Sequence, residues 1–199
     1  MEATERTRLK RSPKRGEFSD EQIYAILDEA FVCHIGGVVD GYPVVQPNLH
    51  WRIGNTLYIH GSSKNGLISA ILEQGQTCIT VSLFDGLVLA RSAFHHSINY
   101  RSVMLFGKPE KVEDEKTKAH VLDALIEKCQ VGRSAQVRPA NQTELKATTV
   151  IAIKIEEASA KMRSGAPIDD EDDMDWPVWA GIIPASITFG EPEEDTTGR

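Results

Sequence analysis

The residue pattern predicts a mainly β chain with α-helices, folded as an antiparallel barrel with helical caps. Three observations carry that expectation. Six apolar or alternating runs follow one another, mostly through hairpin-like connections, three helical stretches are tucked between them, and no segment repeats. A doubly wound parallel sheet would need regular alternation of strand and helix, which this order does not supply.

The elements follow in chain order. Residues 1–17 have no periodicity and six basic side chains (Arg6, Arg8, Lys10, Arg11, Lys14, Arg15), which predicts a flexible, solvated arm. Ser19 then reads as a helix N-cap with Gln22 as its capping-box partner and Phe18 and Ile23 as the flanking staple. Ile23, Ile26, Leu27, Ala30 and Phe31 follow at helical spacing. The period changes at residues 32–39, a buried-strand run closed by the hairpin signal Asp40 and Gly41. Residues 42–51 are extended, with Pro43 and Pro47 predicting an edge or a break in pairing.

Gly54 and Asn55 turn the chain into a third strand at 56–60. A short helix is expected over 67–73, stopped by Gly75, and a fourth strand over 77–83, where Ile79, Val81 and Leu83 alternate with Thr80 and Ser82. The fifth strand spans 99–106. A helix of roughly four turns covers 113–129 with Leu122, Leu125, Ile126 and Cys129 as its stripe, and the sixth strand covers 148–156. The domain boundaries are accordingly a basic arm over 1–17, one domain over 18–184 and an acidic tail over 185–199.

A chain of 199 residues is long enough to bury a substantial core, and 41% hydrophobic with 26% charged residues is ordinary globular composition. The net charge of −7 argues against nucleic acid as a partner. No apolar run approaches the ~20 residues that span a bilayer, and no apolar stretch follows the early basic residues. Cys33, Cys78 and Cys129 are far apart in apolar segments, so buried thiols in the cytoplasm are expected rather than disulfides. The acidic run Asp169, Asp170, Glu171, Asp172, Asp173 and Asp175 lacks the glycine-centred spacing of a calcium loop and reads as a mobile, solvated segment.

Two segments carry candidate chemistry. In residues 57–72, a strand ending at His60 is followed by Gly61, Ser62, Ser63 and Lys64 before a helical stretch. Helix amides, a glycine that admits close approach, hydroxyls and an ammonium together make a phosphate cradle, although Ser62 or Ser63 could equally be a plain N-cap with Lys64 solvated. In residues 91–107, His95 and His96 precede Arg101 and Ser102 at the start of the fifth strand. Adjacent histidines on an extended segment point to opposite faces, so they do not share a metal easily. Arg101 is a fixed fork suited to an oxyanion. No serine sits in a nucleophile elbow.

These stretches, with the late segment IKIEEASAKMRSG and the motif DWPVWAGIIP, resemble the flavin-nucleotide-binding branch of the pyridoxamine 5′-phosphate oxidase-like split-barrel proteins, the branch related to nitroimidazole-resistance proteins. The resemblance spans roughly residues 11–184. It implies a six-stranded antiparallel split β-barrel with peripheral helices, forming a homodimer with FMN at the subunit interface. Within it, residues 44–50 would lie along the flavin, with Gln46, Pro47 and Asn48 touching the ring, and His60, Gly61, Ser62, Ser63 and Lys64 would hold the phosphate. Arg101 and Ser102 would reach the site from the other subunit, and Trp179, or alternatively Trp176, would close over it.

The activity implied is an FMN-dependent oxidoreductase acting on a small electron-poor substrate, with His95 or His96 as proton donor. The alternatives are a flavin carrier or redox sensor and a haem-binding protein that uses His95 or His96, and the flavin could be the longer FAD. Where B6 oxidases carry an Arg-x-V-x-x-K strand, this chain has Gln46, Pro47, Asn48, Leu49 and His50, so vitamin B6 oxidation is not expected.

Overall fold

The structure, a computed structural model, describes residues 1–8 and 15–197. The chain divides into two compact units, Met1–Leu83 with Arg101–Met162, and Phe84–Tyr100 with Arg163–Arg199.

The first unit holds the strands β1 (Gly16–Glu17), β2 (Val32–Val39), β3 (Tyr42–Ile53), β4 (Thr56–Ser62), β7 (Pro109–Lys111), β8 (Thr148–Lys154) and most of β9 (Glu157–Arg163). It also holds the first half of β5 (Thr77–Leu89) and the second half of β6 (Ser97–Gly107). The strand order is β1-β9-β6-β5-β2-β3-β4-β8-β7, so the ends do not meet and the barrel is split. Its hinge is β3. Residues 42–49 pair with β2, whereas His50 to Ile53 pair with β4. Pro43 and Pro47 both lie in the half that pairs on one side only, which is the edge that a residue without an N–H tolerates. Asp40 (φ 51°) and Gly41 (φ 82°) make the expected tight turn between β2 and β3.

Three helices and one further short one pack on this sheet. Ser19 caps α1 (Asp20–Glu29) by accepting from the Gln22 amide at 3.4 Å. The reciprocal half of the expected capping box is supplied differently, because the Ser19 amide donates to Glu17 Oε1 at 2.9 Å. Helix α2 (Gly66–Gln74) ends on Gly75 in the left-handed region, as its sequence predicts. Helix α3 (Glu115–Cys129) buries Lys118 and Val121, with Leu122 and Leu125 of the expected stripe half-buried against the same cluster, whereas Cys129 is exposed. The short α4 (Gln142–Ala147) is closed by a capping box from Asn141 and Glu144.

The main core is aliphatic: Leu27, Ile35, Ile59, Ile79, Leu105 and Ile151 are all buried, and the whole cluster lies in the first unit. On the opposite face of β3 and β8, Trp51 and Val150 pack under Val121 of α3.

Among the described residues ten strands form where six are expected. The extra ones carried too little periodicity to be recognised: β1 and β7 have two and three residues, β9 is built from small and polar residues, and β10 (Gly181–Pro184) lies in a proline-containing segment. The arm expected to be free through residue 17 makes specific contacts. The Met1 ammonium donates to Phe18 O (2.6 Å) and Asp20 (2.9 Å), Thr7 is buried, and Arg6 pairs with Glu157 and lies 4.9 Å over the Phe106 ring. Its Lys10, Arg11 and Lys14 lie outside the described residues.

In the second unit β10 pairs with the end of β5, in register Leu89 with Gly181 and Gly86 with Pro184. A side chain at Gly86 (φ 151°) would meet Ile183 O at 2.6 Å, so this pairing requires glycine there. Of the tail expected from residue 185, Ala185 still bonds Asp85, and the exposed remainder is described through residue 197.

Candidate functional site

In the first unit the phosphate-cradle residues gather where β3, the end of β4 and the start of α2 meet. The strand expected to end at His60 continues to Ser62, because Ser62 pairs with Thr148 of β8. The turn that follows is tight: Ser62 Oγ accepts from the Lys64 amide at 3.2 Å. The N-cap of α2 is neither serine. It is Asn65, whose side chain accepts from the Ile68 amide at 3.0 Å. The same side chain donates to Gln46 Oε1 at 3.2 Å, while Asn48 Nδ2 donates to His60 O at 3.0 Å.

Gln46, Asn48, His60, Gly61 and Asn65 are therefore one hydrogen-bonded corner, and Ser62, Ser63 and Lys64 project from it exposed. Gly61 sits close against Ile68, whose Cδ1 a Cβ there would approach to 2.6 Å. Pro47 is exposed in β3. With the serines released from capping and the Lys64 ammonium without a partner among the described residues, this turn offers hydroxyls and a cation to an anion.

His60 itself faces the other way. Its ring lies 5.9 Å from Trp51, its Nδ1 is buried without a partner among the described residues, and burial pushes its pKa down. His50 is fully buried, and Nε2 donates to Leu27 O at 2.9 Å. Burial first, then the nearby Lys128 ammonium, lowers its pKa to about 4.

Arg101 and Ser102 do not join this corner within the chain. The Arg101 guanidinium forks onto both carboxylate oxygens of Glu29, one at 2.7 Å, and Ser102 Oγ donates to Lys161 O at 3.0 Å, tying β6 to β9.

The second unit explains the histidine-rich segment differently from its sequence reading. Residues Ala93–His95 form a 3₁₀ turn, not an extended run, so the two imidazoles diverge by local geometry. His95 Nε2 lies 3.1 Å from Asp170 Oδ2, and His96 Nδ1 lies 2.9 Å from Ser92 O. A carbonyl only accepts, so His96 donates through Nδ1, and its Nε2 has no partner among the described residues. The acidic run is not a free solvated loop at its start. Asp169 accepts from the Arg91 amide (2.9 Å) and guanidinium (3.0 Å) with its side chain 1% exposed. Burial raises its pKa, but the bonds from Arg91 outweigh this and hold it below the usual carboxylate range.

Trp176 and Trp179 are both exposed, and the Trp179 ring lies against Gly181. Among the described residues no group of three or more His, Cys, Asp or Glu side chains is placed to hold a metal ion, and no helix is long and apolar enough to cross a membrane. The residues that sequence reasoning missed are Asn65, Asp169 and Asp170. Only Asn65 had a signal, an asparagine just ahead of Gly-Leu-Ile at a helix start.

With the geometry in hand, comparison with known proteins is decisive at the level of family. The profile of the pyridoxamine 5′-phosphate oxidase family matches residues 19–162. The chain belongs to that family. It has the flavin-binding fold of its members, a mostly antiparallel, unclosed sheet with few helices. Among solved structures it is similar to the flavocytochrome Anf3 of Azotobacter vinelandii, with 41% identity and TM-score 0.94 over 100% of this chain and 93% of that one.

It is also similar to an FAD- and haem-binding protein of Mycobacterium smegmatis, with 33% identity and TM-score 0.88 over 93% and 91% of the two chains. A candidate 5-nitroimidazole antibiotic resistance protein of Bacteroides thetaiotaomicron shares the fold at 24% identity and TM-score 0.62, over 73% of this chain and 85% of that one. No curated protein matches the sequence.

Proposed function

We propose that this family member is a cytoplasmic redox protein that carries both a flavin and a haem, with FAD favoured over the FMN that its sequence suggests. The observation that carries this reading is the similarity to two near-full-length structures, one described as a flavocytochrome and the other as an FAD and haem binder. The Azotobacter relative spans the whole chain, including the residues after Met162 that the family profile leaves out.

The residues present fit both groups. The exposed Ser62, Ser63 and Lys64 suit a flavin phosphate, and the amides of Gln46 and Asn48 sit on the strand beside them. For haem, His96 is better prepared than His95. Its Nδ1 proton is committed to Ser92 O and its Nε2 is open, the arrangement typical of metal-bound histidine, whereas His95 Nε2 is engaged by Asp170. The neighbouring Phe94 and Ile98 are exposed, as an apolar macrocycle would require. When bound, the two groups supply hydride and single-electron chemistry, while the chain supplies phosphate charge, an iron ligand and an apolar surround.

A second copy of the chain covers apolar surface in this reading. Val32, Tyr42 and Val45 in the first unit, and Trp176, Trp179 and Ile183 in the second, are exposed in the single chain.

The absorption spectrum of the purified protein tests the proposal. Flavin bands together with a Soret band are expected. His96→Ala should lose the Soret band and keep the flavin, and Lys64→Ala should weaken flavin binding by about tenfold or more, the effect of one charge-assisted bond. Flavin bands with no Soret band, even after haem is added, would leave the flavin-only oxidoreductase as the reading.

A further inference from the structure

We propose that the hollow bounded by α2, α3 and α4 in the first unit is a binding site for a phosphoryl group, centred on Lys118. The hollow has a volume of about 430 Å³ and is separate from the hydrogen-bonded corner of Gln46 and Asn48, sharing only Ser63 with the exposed turn.

Lys118 lies on α3 and is 7% exposed. Its Nζ donates to Leu145 O and Thr148 O, both at 3.2 Å, which closes the carbonyl end of α4. An ammonium has three N–H groups, so one remains, and among the described residues no carboxylate lies within ion-pair distance of it. A buried cation satisfied only by neutral carbonyls lacks a counter-charge, and a bound anion provides one.

Thr149 gives the second, independent indication. It is 7% exposed, lines the same hollow, and its hydroxyl has no partner among the described residues. A threonine hydroxyl at the wall of an open hollow can donate to a ligand oxygen. Lys111, Lys146 and Ser63 add a polar rim, against Glu113 and Glu115. Glu113 is already held by Lys111 at 2.9 Å, so three lysines face two carboxylates and the balance at the wall is positive.

A tetrahedral dianion with several acceptor oxygens and no donors matches an ammonium, a second lysine and hydroxyls better than a planar carboxylate, which has fewer acceptor directions. The volume exceeds what an ion needs and falls within the range of small-ligand pockets, about 300 to 1,000 Å³, so the phosphoryl group comes with an organic body. Two sources share this chemistry: the pyrophosphate of a dinucleotide flavin, whose two phosphates together carry two negative charges, and a free phosphorylated metabolite. The site itself does not rest on the flavin reading.

Calorimetric titration of the full chain, freed of flavin, with inorganic phosphate and with AMP tests it, against potassium chloride at equal ionic strength. Saturable binding of both is expected, tighter for AMP. Lys118→Met should weaken it about tenfold. Because Lys118 also closes α4, Thr149→Val provides a variant that leaves those carbonyl bonds intact, and it should weaken phosphate about fivefold with an unchanged melting temperature. Loss of the phosphate response after loading with FAD, but not with FMN, supports the flavin's own phosphate as occupant. A response that survives both supports a free metabolite. A phosphate titration indistinguishable from chloride, or equal affinities in wild type, Lys118→Met and Thr149→Val, overturns the site. That result stands whether or not the protein takes up flavin.

Discussion

The two units of this chain are held together by different forces. The first is built on a continuous aliphatic cluster in which Ile59, Ile79, Leu105 and Ile151 are wholly buried. The second has little such core: Val88 and Ala90 are buried, while Phe94, Trp176, Trp179, Ile187 and Phe189 are exposed. What fixes its loops is polar. Arg91 grips Asp169, His95 meets Asp170, and Arg163 reaches Asn99 together with the carbonyls of Gly165 and Ala166. Non-directional burial secures a barrel without specifying where a functional side chain points, whereas directed bonds set the orientation of groups such as the His96 imidazole. The second unit thus keeps several large apolar side chains outward.

The largest expected effect lies in the first unit. Leu105→Ala, which empties space at a fully buried position, should lower unfolding stability by about 3 to 4 kcal/mol in a urea titration. An equal loss from Ile183→Ser, at an exposed position of β10, would break the contrast, since that change is expected to stay within about 0.5 kcal/mol.

Acid should weaken the first unit next. His50 is neutral when folded, with its pKa near 4 against an ordinary 6.5, so the unfolded chain binds a proton that the folded chain refuses. Stability is expected to be full above pH 6.5 and to fall as the pH drops toward 4, by about 3 kcal/mol in total. His50→Gln should flatten that slope, and an unchanged slope in the variant would place the acid sensitivity elsewhere.

A smaller and local effect is expected in the second unit. Asp169→Ala removes both acceptors of Arg91, so amide exchange at residues 89–95 should speed up on the order of tenfold while the strands of the first unit keep their protection. Uniform acceleration through both units would show that they open together. The smallest effect is that of Ile183→Ser above, and it sharpens the comparison by separating exposed apolar surface from surface already packed.

What was legible in the chain follows physical range. Ser19, Asp40 and Gly41, Gly75 and the alternation of Ile79, Val81 and Leu83 act on near neighbours, so the turns, caps and most strands were readable without coordinates. Pro43 and Pro47 announced an edge because a missing N–H is a property of the residue itself. The turn Ser62–Ser63–Lys64 was also legible as a candidate, because hydroxyls and an ammonium before a helix are local chemistry.

Other features were settled only when distant segments met. Asp169 reads as one carboxylate in a solvated acidic run until it is placed against Arg91, 78 positions away, and burial with two bonds changes its meaning. Arg101 reads as a free oxyanion fork until Glu29, 72 positions away, takes it. Lys118 looks like one more surface lysine of α3 until Leu145 and Thr148 fold over it and leave a charge without a counter-charge. Composition and spacing determined the barrel, since backbone pairing and burial follow short-range pattern. Which polar groups are satisfied, and which remain available to a ligand, depended on desolvation and long-range pairing, and these exist only in the folded chain.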